Sequence, residues 1–174
     1  MHSPNCAVEW NGRLGPSSLS VWPSGLCASC VLHLPLRCAA IVTTVLVVDA
    51  SAVAEMLLGT AKGRRVAEAI GMDHSLHAPE LLSLEVATVL RGLIRTAQID
   101  VVEAEQVVVD LSSLGIEYYE HLAFLPRVLA LRDNLTAYDA SYVALAEVLD
   151  VPLLTCDAKL ARSPGHRADV HIVS

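Results

Sequence analysis

LTAYDASYVALAEVLDVPLLTCDAKL, residues 135–160, reads as a helix, a turn, a buried strand and a second turn. Thr136 opens a helix over 137–149, and 152–155 is a strand with its proline at the first position, where a missing N–H is tolerated. The stretch carries Asp139 at the helix start and Asp157 two residues beyond Thr155. Both sit where a side chain can point out of the fold. Either these aspartates cap helices, or other parts of the chain bring more carboxylates to the same place and the group binds a metal.

Working outward, the β-branched run Val45-Leu46-Val47-Val48 is a fully buried strand. Asp49 ends it, a helix follows over 51–58, and Gly59 closes that helix. A second short helix covers 62–70 and stops at Gly71. His77-Ala78-Pro79 leads into a long helix with Pro79 in its first turn. Its apolar positions Leu81, Leu82, Val86, Val89, Leu90, Leu93 and Ile94 have helical spacing. Asp100 caps a further helix to about Ser112, and Gly115 breaks it. A candidate strand over 116–119 precedes a helix over 122–131, in which Pro126 is an alternative start. After residue 155 come one helical turn over 157–162 and a last strand over 170–173. Strands alternating with helices predict an α/β fold with a parallel sheet covered on both faces.

The chain is 53% hydrophobic, enough for a substantial core and against disorder. Residues 44–174 hold 10 basic and 18 acidic residues, a net charge of -8. Such a domain binds nucleic acid poorly unless a cation or a local basic patch offsets the repulsion. Residues 1–43 show no helix or strand period and read as an irregular N-terminal extension. The expectation is a poorly ordered segment, with upstream sequence from too early a start as the alternative, which mass spectrometry of the native N-terminus tests. Cys27, Cys30, His33 and Cys38 have a zinc-like spacing, but the apolar residues between them favour coincidence. Four of the five cysteines lie in this segment, so there is no disulfide framework. The apolar run 38–48 is too short to span a bilayer. The expectation is a soluble, cytoplasmic protein of two parts, 1–43 and a single domain over 44–174.

In an open α/β sheet, ligands bind beyond the carboxyl ends of the strands. Asp49 follows the first strand and Asp157 the strand 152–155. Asp139 begins the helix feeding that strand, and Glu85 lies one turn into the long helix. Converging carboxylates cannot all stay ionised without a cation. Mg²⁺ or Mn²⁺ suits an all-oxygen set. Each residue also has a plainer role: Asp49 and Asp157 as helix caps, Thr136 with Asp139 as a capping box, and Glu85 as a solvated helix residue.

Three segments, VLVVDASAVAEML, APELLSLEVATVLRGLI and LTAYDASYVALAEVLDVPLLTCDAKLA, resemble the PIN-domain family and its VapC-type toxins over about residues 45–174. The resemblance implies a three-layer α/β/α sandwich with a central, mainly parallel sheet. It also implies a Mg²⁺-dependent ribonuclease (Mn²⁺ as the alternative ion) with Asp49, Glu85, Asp139 and Asp157 as its acidic residues. Ser51 and Thr155 match the hydroxyl residues that support those carboxylates, or else are ordinary local hydrogen-bonders. Arg91 falls where a basic residue contacts a phosphate, or is a surface arginine. Thr88 stands where the family often has Asn. The implied partners are RNA, a VapB-type antitoxin with a basic segment and a second copy of the chain, with no membrane. The apolar helices between Lys62 and Ser112 are candidates for the antitoxin groove or the homodimer face, or are simply core. Two other readings are a PIN-like nuclease of RNA maturation and a non-catalytic protein whose acidic cluster holds a metal or a partner's arginine.

Overall fold

In this computed structural model, which describes residues 44–71 and 74–174, strands and helices alternate along the chain. The strands are β1 (Thr44–Val48), β2 (His74–Pro79), β3 (Glu117–Tyr119), β4 (Leu153–Thr155) and β5 (Val170–Ile172). The helices are α1 (Ala50–Leu57), α2 (Ala61–Ile70), α3 (Leu81–Arg95), α4 (Val101–Ser113), α5 (Leu125–Ala130), α6 (Ala137–Leu149) and α7 (Ala158–Arg162). The irregular segment and the Cys27, Cys30, His33, Cys38 spacing lie outside the described residues.

The strands form one sheet in the order β3-β2-β1-β4-β5, and every pairing is parallel. The expected sandwich is what the chain forms. The connections β1→β2→β3 step one way across the sheet and β3→β4→β5 step the other way. Right-handed crossovers therefore place α1–α4 on one face and α5–α7 on the other. The contacts agree, with α1 packed on α2, α3 and α4, and α5 packed on α6. Seven consecutive α6 residues, Ala140 to Ala146, are buried. A helix apolar on all sides belongs in the interior, and α6 lies against β1, β2 and β4.

One element differs from the sequence reading. Residues 74–79 form a strand between β1 and β3, not the approach to a helix, so the sheet has five described strands rather than four. HSLHAP offers no β-branched run to announce it. The His77 ring finds partners within the sheet: Nδ1 lies 2.8 Å from the Tyr119 hydroxyl and Nε2 lies 3.0 Å from Ser75 Oγ. Pro79 ends this strand, opposite Tyr119, and α3 begins at Leu81. A smaller difference is that the helix expected over 122–131 divides into a 3₁₀ turn, His121–Ala123, and α5, with Pro126 in its first turn.

Two local features hold the periphery. Gly63 lets α2 approach α1 so closely that a Cβ there would meet the Glu55 carbonyl oxygen at 1.9 Å. Gly63→Ala is therefore expected to destabilise the fold by about 1–3 kcal/mol, as overpacking does, and denaturant unfolding measures it. An unchanged midpoint would mean that the two helices separate freely. On the opposite face, Arg127 of α5 grips Glu147 of α6 through Nε at 2.5 Å and a second nitrogen at 2.9 Å. That second nitrogen also donates to the Gly165 carbonyl at 2.9 Å, and the Arg167 N–H donates to Glu147 at 2.6 Å. The ion pair thus fastens the loop before β5 to the helical layer. Among the described residues, no helix is long and apolar enough to cross a membrane.

Candidate acidic site

The chain reverses direction across the sheet between β1 and β4, and such a switch point opens a crevice at the carboxyl ends of the strands. Asp49 follows β1 there and Asp157 follows β4. A cleft of about 590 Å³ lies at this edge, lined by Asp49, Ser51, Glu85, Asp139 and Asp157 among others. The four carboxylates singled out from the sequence, drawn from four separate elements, thus line one cavity. Arg91 is exposed on α3 and does not line the cleft.

Asp49 is 8% exposed. It occupies the N-cap position of α1, but its side chain makes no capping bond. Instead Oδ2 accepts from the Ser51 hydroxyl at 2.5 Å and the Thr155 hydroxyl at 2.7 Å. Each hydroxyl also accepts: Ser51 Oγ from the Cys156 N–H at 3.0 Å, and Thr155 Oγ1 from the Asp157 N–H at 2.9 Å. Only a hydroxyl both donates and accepts in this way, so the pair ties the β4–α7 turn to the Asp49 carboxylate. Both bonds fall on Oδ2, which leaves Oδ1 unengaged by either hydroxyl.

Asp157 caps α7, its Oδ1 accepting from the Lys159 N–H at 2.8 Å. Thr136 caps α6 by accepting from the Asp139 N–H at 3.1 Å, and its hydroxyl donates to Asp139 Oδ2 at 2.8 Å. The plainer capping roles and the place in the cleft therefore coexist for these two aspartates. Asp139 differs from a Glu capping box in being held by the threonine hydroxyl. Its carboxylate is one methylene shorter than the one that reaches back to the N-cap N–H.

Glu85 is half-buried, and its Oε2 accepts from the Tyr142 hydroxyl at 2.5 Å. Tyr142 was not singled out from the sequence. A signal was present, since it lies one turn after Asp139 on the same helix. Tyr138, Leu81 and Leu84 also line the cleft and were likewise not assigned to it.

The electrostatics follow from this crowding. Burial pushes the Asp49 carboxyl above its ordinary range, against the lowering effect of its two hydroxyl donors. Burial also raises Glu85, the Tyr142 bond lowers it, and the charges of Asp49 and Asp139 raise it further. The Tyr142 phenol is pushed far up, first by burial and then by Glu85, so it remains a proton donor. No lysine or arginine lines the cleft among the described residues.

The PIN domain family model matches residues 46–165. The chain belongs to the PIN domain family. Within it the chain is 39% identical to ribonuclease VapC12 of Mycobacterium tuberculosis over 129 residues, 74% of this chain and 99% of that protein. Among solved structures it resembles PAE2754 from Pyrobaculum aerophilum, with a TM-score of 0.55, 25% identity and coverage of 74% of this chain and 84% of that one. A toxin–antitoxin complex from Klebsiella pneumoniae shares the fold, with a TM-score of 0.51, 18% identity and coverage of 74% and 98%. PIN nucleases are in general dependent on a divalent metal, and the donor set here fits one. It is all oxygen, the charges of Asp49 and Asp139 raise the proton affinity of Glu85, and no basic residue among those described lines the cleft. No three acidic, histidine or cysteine side chains among the described residues close tightly enough to hold an ion by themselves.

Proposed function

We propose that this PIN-domain chain is a Mg²⁺-dependent endoribonuclease toxin, with Mn²⁺ able to replace Mg²⁺, restrained by a cognate VapB-type antitoxin. The observation that carries the reading is the gathering of Asp49, Glu85, Asp139 and Asp157 around one cleft at the switch point of the sheet. Asp49, Asp139 and Asp157 hold the cation, directly or through water. The cation, when bound, supplies charge neutralisation for the phosphate and acidifies a water at neutral pH. Glu85 orients the attacking water or takes its proton. The water oxygen bonds to phosphorus, the bond from phosphorus to the leaving oxygen breaks, and the proton passes to that oxygen. Ser51 and Thr155 keep Asp49 in register with the β4–α7 turn. Arg91, exposed on α3 beyond the cleft, serves as a phosphate contact for RNA extending past the cut.

The domain boundary at residue 44 belongs to the same reading, as does a cytoplasmic place of work, where RNA substrates are found. An acidic domain with an uncompensated cleft suits an antitoxin that inserts a basic segment. The apolar helices between Lys62 and Ser112, with Val101, Val102, Val108 and Val109 exposed on α4, are the faces this reading gives to the antitoxin or to a second copy of the chain. In the test, the purified full chain is incubated with total RNA in Mg²⁺, in Mn²⁺ and in chelator. Cleavage is expected with either ion and is expected to fall to background in chelator. Cleavage that persists in chelator would refute the metal assignment, and no cleavage of any RNA in either ion would favour a metal- or partner-binding protein.

A further inference from the structure

Tyr142 lies outside the acidic set but touches it. It is 1% exposed in the buried stretch of helix α6, one turn beyond Asp139, and its hydroxyl donates to Oε2 of Glu85 on α3. The two residues are 57 positions apart in the chain, and the bond joins helices from opposite faces of the sheet at the cleft.

The chemistry of this contact is specific. A lysine or arginine in the same place would neutralise Glu85 and compete with a cation. A phenol holds the carboxylate without cancelling its charge. It also engages one of the two oxygens, so Oε1 is left without that bond and is the freer of the two to meet a cation or its water. A carboxylate limited to one oxygen suits Mg²⁺, which demands near-octahedral geometry at short distances. A carboxylate free to use both oxygens suits Ca²⁺, which accepts bidentate ligands and higher coordination numbers.

We infer that Tyr142 is a positioning residue that, by claiming Oε2 of Glu85, makes this carboxylate a one-oxygen partner of the cation or its water and so tunes the centre toward small divalent ions over Ca²⁺. The inference rests on the proposed reading of the four carboxylates as a cation site.

Titration calorimetry of the full chain with Mg²⁺, Mn²⁺ and Ca²⁺, without RNA, tests it. Tyr142→Phe keeps the ring that fills the core and removes only the hydroxyl. It is expected to weaken Mg²⁺ and Mn²⁺ binding about tenfold, the scale on which partners of metal ligands act, and to leave Ca²⁺ binding within about twofold. In the Glu85→Gln background the same change is expected to have no further effect on Mg²⁺. Equal weakening of Mg²⁺ and Ca²⁺, or unchanged binding of both, would overturn the inference, as would a loss that simply adds to that of Glu85→Gln. Asp49→Asn provides the separate control. If it binds Mg²⁺ as tightly as the native chain, the cation site itself is wrong, whatever Tyr142→Phe does. Should Tyr142→Phe fail to fold, the tyrosine ultraviolet difference spectrum on adding Mg²⁺ to the Tyr138→Phe chain decides. A perturbation that vanishes when Glu85→Gln is added supports the role, and no perturbation overturns it.

Discussion

Asp49→Asn is expected to lower RNA cleavage at least about 1000-fold while leaving the metal-free protein as stable as before, or more so. The loss follows from removing a charge that, in the proposed site, holds the cation. Stabilisation by a bound metal is worth several kcal/mol in the transition state, and each 1.36 kcal/mol is about tenfold in rate. The stability follows from the geometry. Asparagine keeps an oxygen that can accept from Ser51 and Thr155, while the buried charge disappears. Because burial raises the Asp49 carboxyl in the folded state, its contribution favours folding at acid pH, below the unfolded value. That contribution is lost as pH rises through the folded value. The substitution should therefore gain most at neutral pH, by about 0.5–2 kcal/mol, the usual scale when a functional site is relaxed. Gel-based cleavage and a thermal scan in chelator measure the two effects. An asparagine variant that cuts RNA within tenfold of the native rate would remove Asp49 from the site.

Arg127→Ala is expected to cost about 3 kcal/mol, the lower end of the range for breaking a buried pair. The Glu147 side chain is only 6% exposed, and Arg127, at 31%, is partly screened by solvent. For a domain of this size the melting temperature should drop by on the order of 10 °C. The variant leaves Glu147 a buried carboxylate held only by the Arg167 N–H. Replacing both partners, as in Arg127→Met with Glu147→Met, should be milder than the single change. The Arg127 bond chiefly holds the Glu147 carboxyl below its ordinary range. Its contribution is thus present above the unfolded value and is lost as pH falls through the folded one. In Arg127→Ala that acid-side loss should shrink. A single variant that melts with the native protein at neutral pH would show that the clamp is ornamental.

Elements with strong local patterning were visible before the structure. The β-branched run at Val45 and the punctuated stretch from Thr136 to Asp157 fixed β1, α6 and β4 closely. β2 was not visible, because its place is set by neighbours on both sides rather than by its own residues. A strand containing two histidines, a serine and a proline is held there by pairing with β1 and β3, and Ser75 and Tyr119 meet the His77 ring. The carboxylates were readable because a strand end or helix start announces where each side chain emerges. What each oxygen does was not readable. Asp49 looked equally suited to capping α1, and only the fold shows Oδ2 turned to Ser51 and Thr155 instead. Tyr142 escaped notice because its partner lies 57 residues away and its neighbours on α6 read as plain core.

The pairing of β1 with β4 carries a consequence for how the protein is made. Asp49 is synthesised well before Thr155, which shares with Ser51 the task of holding it and lies 106 residues later. Synthesis proceeds at about 5–20 residues per second, so several seconds separate the two. Throughout that interval the nascent chain lacks β4, the turn that bears Asp157 and the second of the two hydroxyls that hold Asp49. A ribosome translating this message thus carries an unfinished nuclease until the codons for residues 153–157 have been read.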